Sequence, residues 1–439
     1  MKCLILSAGK GTRLQPRYNC KPLAPVLGIP LIERVIRTAV CAGVEEFYVV
    51  TGHKEAEVSQ FLDQLTERCQ IPINHIHNNE WDKGGNGLSA LKAKAHLNES
   101  FLLMMGDHLA DPKLLKDLLQ NRLSDGDIIV AVDRNVDTAI TDIRDATKVL
   151  IHDGKVKSIG KNLKRFDALD TGLFLCTPTI FEGIEQSISK HDDSTLTGGI
   201  RRLSENGSVK VFDIGQKFWI DVDNPVALKK AEGVLLSQLR GKQSDGPISR
   251  YLNRLLSTRL SRYLARFPIT PNQISFISFL LCIFATGLFL GEGYVTLLFG
   301  GIIAQFASVL DGCDGEIARL KFQESAYGKW FDAVLDRYAD GFLLFGLTWH
   351  AYMTDTQLAS VVAGFMAILG SFMVSYTADK YDALMISHPK WHVRIGRDIR
   401  IFLIFLGALL NQVLWTLVVI AFLMNAETIR RVYVCKTNE

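Results

Sequence analysis

The sequence predicts two domains of different class: an α/β domain on a mostly parallel sheet, then an all-α domain of six membrane-spanning helices. Three observations carry this. Up to about residue 240 short apolar runs alternate with amphipathic stretches, the pattern of strands alternating with helices. Beyond residue 268 long apolar runs follow one another closely. The chain has 439 residues, roughly three times the usual single-domain length. Its mean hydropathy of +0.15 and 48% hydrophobic content are high for a chain bathed wholly in water. The expected boundaries are 1–240 for the first domain, 241–267 for a linker and juxtamembrane helix, and 268–439 for the membrane domain.

In the first domain the predicted strands are Lys2–Leu6, Phe47–Thr51, Phe101–Met105 and Asp127–Val132. Predicted helices fall between them at Leu31–Ala42, Ala56–Glu67, Leu88–Ala95 and Pro112–Gln120. From Val149 to Leu175 the spacing shortens around His152-Asp-Gly-Lys155, which reads as a β-hairpin insertion. A polar link, Arg240–Gly246, precedes Ile248–Phe267, where Arg250, Arg254, Arg259, Arg262 and Arg266 stand among Tyr and Leu. That mixture predicts an amphipathic helix lying on anionic headgroups. Apolar runs follow at Ile274–Leu290, Val295–Leu310, Gly341–Met353, Leu358–Tyr376, Ile401–Leu410 and Val413–Met424. The turns Gly291–Tyr294, Thr354–Thr356 and Asn411–Gln412 contain no Lys or Arg. Lys321, Lys329, Lys380, Lys390, Arg394, Arg397, Arg430 and Arg431 fall at the opposite ends, as the positive-inside rule demands.

Charge and cysteine usage narrow the class further. Forty-nine basic against 46 acidic residues give a net charge of +3, too balanced for a nucleic-acid binder. The eight cysteines form no CxxC pair and read as reduced, cytosolic thiols. The apolar run after Met1 is too short for a signal peptide, so the N-terminal domain is expected in the cytoplasm.

Four aspartates mark the membrane half. Asp311-Gly-Cys-Asp314-Gly-Glu-Ile-Ala-Arg319 ends the second apolar run, and Gly328-Lys-Trp-Phe-Asp332-Ala-Val-Leu-Asp336 opens the third. Asp311 and Asp314 are three apart, Asp332 and Asp336 four apart, so each pair shares a helix face. Four carboxylates at a membrane boundary are costly unless cations neutralise them, and hard oxygen ligands suit Mg2+, Mn2+ or Ca2+. The pattern D-G-x2-D-G-x2-A-R-x8-G-x3-D-x3-D is complete and resembles the signature of the CDP-alcohol phosphotransferases. The resemblance implies displacement of CMP from a CDP-alcohol by a second hydroxyl. It implies metal held by Asp311, Asp314, Asp332 and Asp336, with Asp336 also the general base on the acceptor. Gly312, Gly315, Ala318, Arg319 and Gly328 match the positions that receive the cytidine diphosphate.

In the first domain, strand one runs into Ser7-Ala-Gly-Lys-Gly-Thr-Arg13, followed by Lys21-Pro-Leu, with no GK[ST] of a Walker A loop. The loop (Ala8, Gly9, Gly11, Thr12) supplies backbone N–H groups for a triphosphate. Arg13 and Lys21 add the positive charge that a leaving pyrophosphate needs. Met105-Gly-Asp107-His108 ends an apolar strand, Trp219-Ile-Asp221-Val-Asp223 offers further carboxylates, and Gly84-Gly-Asn86-Gly87 is a small-residue loop suited to a base edge. Together these resemble the Rossmann-like nucleotidyltransferases that join an NTP to a phosphorylated sugar or alcohol. On that resemblance Arg13 and Lys21 are catalytic, and Asp107 and Asp223 hold Mg2+ or Mn2+, with Asp221 a weaker candidate. Asn78-Asn-Glu-Trp81, Gly160-Lys-Asn-Leu163, Asp170-Thr-Gly172 and Asp245-Gly-Pro-Ile-Ser-Arg250 narrow the resemblance to the inositol-1-phosphate cytidylyltransferases fused to a synthase of di-myo-inositol-phosphate-phosphate.

The two halves fit one sequence of reactions, since one makes a CDP-alcohol and the other consumes one. The reading is a bifunctional transferase. CTP and inositol 1-phosphate give CDP-inositol and pyrophosphate; the phospho-inositol group then passes to an acceptor hydroxyl, expected on a second inositol 1-phosphate, and CMP leaves. The alternative is the same chemistry on another phospho- or phosphono-alcohol with a lipid acceptor, as in phospholipid head-group synthesis. A multi-pass inner (plasma) membrane location is expected, with both sites on the cytoplasmic side. The resemblance also implies a homodimer through the membrane domain.

Overall fold

The computed structural model describes residues 1–14, 18–135, 143, 145–239, 246–355, 357–378, 381 and 395–437. Two compact units result, Met1–Val234 and Leu235–Glu439. The division falls six residues before the expected boundary, inside the helix Pro225–Ser237.

The first unit contains β1 (Lys2–Ser7), β2 (Pro25–Val26), β3 (Ile29–Pro30), α1 (Leu31–Cys41), β4 (Glu46–Thr51), α2 (Glu55–Cys69), β5 (Ile73–His77), α3 (Asn86–Leu91), β6 (Phe101–Met105), β7 (His108–Ala110), α4 (Pro112–Leu119), β8 (Ile128–Asp133), β9 (Lys148–His152), β10 (Lys155–Gly160), β11 (Ala168–Cys176), α5 (Thr179–His191), α6 (Leu196–Ser204), β12 (Val209–Asp213), β13 (Trp219–Asp221) and α7 (Pro225–Ser237). Nine strands form one sheet in the order β5-β4-β1-β6-β11-β8-β12-β10-β9. The block β5-β4-β1-β6 is parallel, with β4, β1 and β6 buried on both faces, and its carboxyl ends define one edge. The rest is mixed: β11 runs antiparallel to both β6 and β8. The prediction of a mostly parallel sheet thus holds for the block that carries the glycine loop. Beyond it β9 and β10 form an antiparallel hairpin, and β9 also pairs antiparallel with the start of β11, short connections that need no crossover helix. Strands β5 and β12 are absent from the predicted set. In β5 the sequence Ile-Asn-His-Ile-His is more than half polar, which hides an edge strand from a hydrophobicity pattern.

The second unit is helical: a π-type turn at Ser249–Asn253, α8 (Arg254–Leu264), α9 (Pro271–Phe289), α10 (Tyr294–Leu320), α11 (Ala326–Asp355), α12 (Leu358–Tyr376), α13 (Arg397–Leu409) and α14 (Val413–Thr437). All six predicted apolar runs lie on α9 to α14. Four of these helices, α9, α10, α12 and α14, are long and apolar enough to cross a membrane. The other two fall short for different reasons: α11 carries Lys329, Asp332, Asp336, Arg337 and Asp340, and α13 has only 13 residues. Small residues such as Ala285, Ala304, Ala307, Ala339 and Ala408 pack the helices closely. Leu280, Phe284, Phe299, Phe345, Phe365 and Phe422 face outward, an apolar surface far beyond what a water-soluble domain shows.

The juxtamembrane helix is shorter than predicted and broken at its start. Arg250, Arg259, Arg262 and Arg266 are exposed beside Tyr251, Leu255, Tyr263 and Phe267, whereas Arg254 turns inward. Several basic residues expected at solvated helix ends are also buried. Lys321 donates to the Phe267 carbonyl at 2.5 Å and the Ile269 carbonyl at 3.1 Å. Arg431 is 2% exposed and pairs with Glu427 at 2.8 Å. Lys380, Lys390, Arg394, the link 240–245 and Thr356 lie outside the described residues.

Candidate active sites

The first site forms at the carboxyl ends of β1 and β6. After Ser7 the chain turns through Gly11 at φ +62°, where a Cβ would sit 2.5 Å from the Cβ of Lys21. Glycine is therefore required twice over, by the left-handed backbone and by the buried Lys21 stem beneath it. The Lys21 ammonium contacts the carboxylates of both Asp107 and Asp223. Arg13 reaches Asp223 at 3.4 Å and Asp145 at 2.6 Å. Burial works against the Lys21 charge, but Asp107 and Asp223 outweigh it and hold the ammonium protonated. Burial likewise opposes ionisation of Asp107, and Lys21 with His108 overcomes it, leaving that carboxyl below its usual range. Asp221 is pushed up to about 6 by burial, with Asp107 and Asp223 adding like charge.

His108 ties these groups together, a role that its place in the sequence did not reveal. β7 pairs with β13 so that Asp221 lies opposite His108. The ring Nδ1 is 2.7 Å from the Thr171 carbonyl, which only accepts, so Nδ1 carries the proton and Nε2 faces Asp107 and Asp221 at 3.6 and 3.7 Å. Gly172, at φ +70°, makes room, since a Cβ there would lie 2.5 Å from Nδ1. The Oδ1 atoms of Asp107 and Asp221 are buried without a hydrogen-bond partner, and with His108 Nε2 they offer ligand atoms within 4.8 Å of one another. Buried carboxylate oxygens lacking donors fit a divalent cation. Asp223 instead faces Lys21 and Arg13.

A cavity of about 350 Å³ opens above this group, lined by Ala8, Gly9, Gly11, Thr12, Arg13, Lys21, Gly84, Asn86, Asp107 and Asp223, together with Trp81 and Ser89. Gly87 is not in its lining. A Cβ at Gly87 would lie 2.6 Å from the Ser194 carbonyl oxygen, and Asn86 Oδ1 accepts from the Leu196 amide at 2.9 Å. That small-residue loop thus has a packing reason of its own, where it meets the start of α6.

The second site lies where α10 faces α11. Asp311, Asp332 and Asp336 each bring one carboxylate oxygen within 4.8 Å of the others. Asp314 stands beside them and accepts from Ser275 Oγ on α9 at 2.6 Å. Asp332 Oδ1 is buried with no hydrogen-bond partner, an oxygen suited to a hard cation. A cavity of about 440 Å³ is lined by all four aspartates and by Gly312, Gly315 and Arg319. A second of about 200 Å³ adjoins it through Asp314, Gly315, Arg319 and Asp332, adding Ala318 and Gly328. A Cβ on Gly312 would meet nothing closer than 3.7 Å, so the protein's own packing does not demand glycine there.

Sequence alone does not assign Arg397, Asp340, Arg254, Glu316 or Ser257 to this site. Arg397, at the start of α13, contacts Asp311 at 2.7 Å, Asp336 at 2.5 Å and Asp340 at 3.3 Å. Arg254 on α8 contacts Glu316 at 2.8 Å, and Glu316, completely buried, also accepts from Ser257 Oγ at 2.6 Å. Breaking a buried pair strands a charge, so Arg254→Met is expected to cost about 3–5 kcal/mol. Thermal unfolding in detergent checks this, and the Arg254→Met, Glu316→Met double variant recovers most of the loss if the pair is the cause.

Fold and sites together define a two-part transferase, a nucleotidyltransferase joined to a CDP-alcohol phosphotransferase. Residues 3–249 match the family model of the MobA-like NTP transferase domain, and residues 268–428 that of CDP-alcohol phosphatidyltransferase. The bifunctional IPC transferase and DIPP synthase of Rubrobacter xylanophilus is 36% identical over 437 residues, 98% of this chain and 96% of its own length. Its counterpart in Aquifex aeolicus is 32% identical, over 98% and 97%. The archaetidylinositol phosphate synthase of Pyrococcus horikoshii is 31% identical over 182 residues, 40% of this chain and 89% of its own. The chain belongs to the family of bifunctional IPC transferases and DIPP synthases.

Proposed function

We propose that the chain couples CTP to inositol 1-phosphate, giving CDP-inositol and pyrophosphate, and then passes the phospho-inositol group to an acceptor hydroxyl with release of CMP. The observation that carries the reading is the pairing, in one chain, of two chemically consecutive sites, in a family named for both activities. In the first site, residues 1–240, the amides of Ala8, Gly9, Gly11 and Thr12 bind the triphosphate, and Gly84 and Asn86 bound the base. Arg13 and Lys21 stabilise charge on the α-phosphate and the leaving pyrophosphate. Asp107 is a ligand for Mg2+ or Mn2+, with Asp221 Oδ1 and His108 Nε2 beside it, and Asp223, which faces Lys21 and Arg13, is the further carboxylate of the set. In the second site, residues 268–439, Gly312, Gly315, Ala318, Arg319 and Gly328 receive the cytidine diphosphate, and Asp311, Asp314, Asp332 and Asp336 hold the cation. Asp336 takes the proton from the acceptor hydroxyl. A bound divalent ion would neutralise the diphosphate in each site.

The apolar outer faces of α9 to α14 support a bilayer location with six spans, and the exposed Arg–Tyr–Leu face of α8 supports contact of residues 241–267 with headgroups. The distribution of Lys and Arg in the sequence supports a location of both sites on the cytoplasmic side of the inner membrane. Assembly as a homodimer through the membrane domain belongs to the same reading.

Two acceptors fit the second site: another inositol 1-phosphate, which the full-length relatives named DIPP synthase favour, or, as the alternative, a lipid hydroxyl. The test is incubation of the purified chain with CTP, Mg2+ and a panel of phospho-alcohols, following pyrophosphate and then CMP. Inositol 1-phosphate is expected to give both. Pyrophosphate release with a different alcohol alone would discard the substrate assignment.

A further inference from the structure

Arg397 follows Asp336 by 61 residues and is the group that bonds to carboxylates on both ligand-bearing helices. Its Nη1 lies 2.7 Å from Asp311 Oδ2 on α10 and 2.5 Å from Asp336 Oδ1 on α11. Its Nε donates, at 3.3 Å, to Asp340 Oδ1. Asp340 is 3% exposed and pairs in turn with Arg400, equally buried. One nitrogen of the guanidinium is thus fixed from behind while another is presented to two carboxylates. Because the group is planar and rigid, fixing Nε fixes Nη1. Without a cation between them, Asp311, Asp332 and Asp336 would repel one another and splay. Two of the three are held by Arg397, and the third, Asp332, keeps Oδ1 free of any donor.

We propose that Arg397, braced by Asp340, is a positioning residue: it sets the separation of Asp311 and Asp336, so that the cluster's free oxygens converge on one divalent cation. This rests on the reading of the cluster as a metal site. The opposite outcome, Arg397 as a competitor that keeps the cation out, would follow if its charge dominated. Asp340 sits directly behind it and offsets much of that charge, which leaves orientation as the larger effect.

The test measures Mn2+ binding to the full chain in detergent micelles by electron paramagnetic resonance, in an Asp107→Ala background that silences the N-terminal carboxylates. Arg397→Lys keeps the charge but has a single nitrogen, which cannot be braced and presented at once. It is expected to bind Mn2+ about 10–100-fold more weakly, with metal-free thermal stability little changed. Asp340→Asn, which loosens the brace, is expected to shift affinity in the same direction. Equal or tighter binding by Arg397→Lys overturns the proposal, and if that variant does not fold, equal or tighter binding by Asp340→Asn does so. A background protein that binds no Mn2+, or that binds undiminished after Asp332→Ala, removes the metal-site reading itself, a distinguishable failure.

Discussion

Asp107→Ala is expected to lower pyrophosphate release from CTP and inositol 1-phosphate by about a thousandfold, while transfer from supplied CDP-inositol stays within about twofold of wild type. The loss corresponds to roughly 4 kcal/mol, the scale on which a cation stabilises developing phosphate charge. Two features make Asp107 the sensitive position. Its carboxylate is held ionised by Lys21 and His108 against the cost of burial, and its Oδ1 lacks any donor. The variant also leaves Lys21, 8% exposed, with Asp223 as its remaining contact. Lys21→Ala is expected to slow the chemical step more than it weakens CTP binding, because its contact strengthens as the pyrophosphate leaves. Full activity of Asp107→Ala would end the assignment of the first site. Loss of transfer from CDP-inositol as well, in a folded variant, would end the two-site description.

Asp336→Asn is expected to bind CDP-inositol within a few-fold of wild type but to transfer at least ~100-fold more slowly, the scale of a general base. Asp336 lies one helical turn beyond Asp332, facing the same cluster. The Asn carbonyl can still accept from Arg397, so the contact between α11 and α13 survives while the capacity to take a proton does not. Rapid-quench measurement of CMP formation, alongside equilibrium binding, separates the outcomes. Near-normal transfer would remove the base role, and joint loss of binding and rate would assign Asp336 to holding metal alone.

Much of the geometry of both candidate sites was legible because the relevant spacings are local. Asp311, Asp314, Asp332 and Asp336 fall at helical intervals on adjoining segments, so four costly charges pointed to one face before any tertiary contact was known. The loop after β1 was legible for a similar reason, an apolar strand ending in small residues beside Arg13 and Lys21. Arg397 was read as a charge marking a helix end, since an arginine before an apolar run looks the same in sequence whether it is solvated or inserted among aspartates. Asp340, one turn beyond Asp336 and directly before the run Gly341–Met353, has partners that the sequence does not show, because Arg397 and Arg400 lie 57 and 60 residues further on. His108 stood next to Asp107 in plain view, yet its meaning depends on the Thr171 carbonyl and on Asp221.

The sequence by itself determined the two domain classes, the positions of the six long apolar runs, the carboxylate clusters and the glycine loop. All of these are written in periodicity and short-range spacing. The tertiary structure decided which charges are partners: Arg397 with Asp311, Asp336 and Asp340; Arg254 with Glu316; His108 between Asp107 and Asp221; Lys21 between Asp107 and Asp223. It also decided that β11 lies between β6 and β8, which carries the carbonyl of Thr171 to His108. Such pairs join residues up to 202 apart. An ion pair of that kind depends on the order in which strands and helices pack, and burial then makes pairing obligatory, because an unpaired charge in a low-dielectric interior costs several kcal/mol.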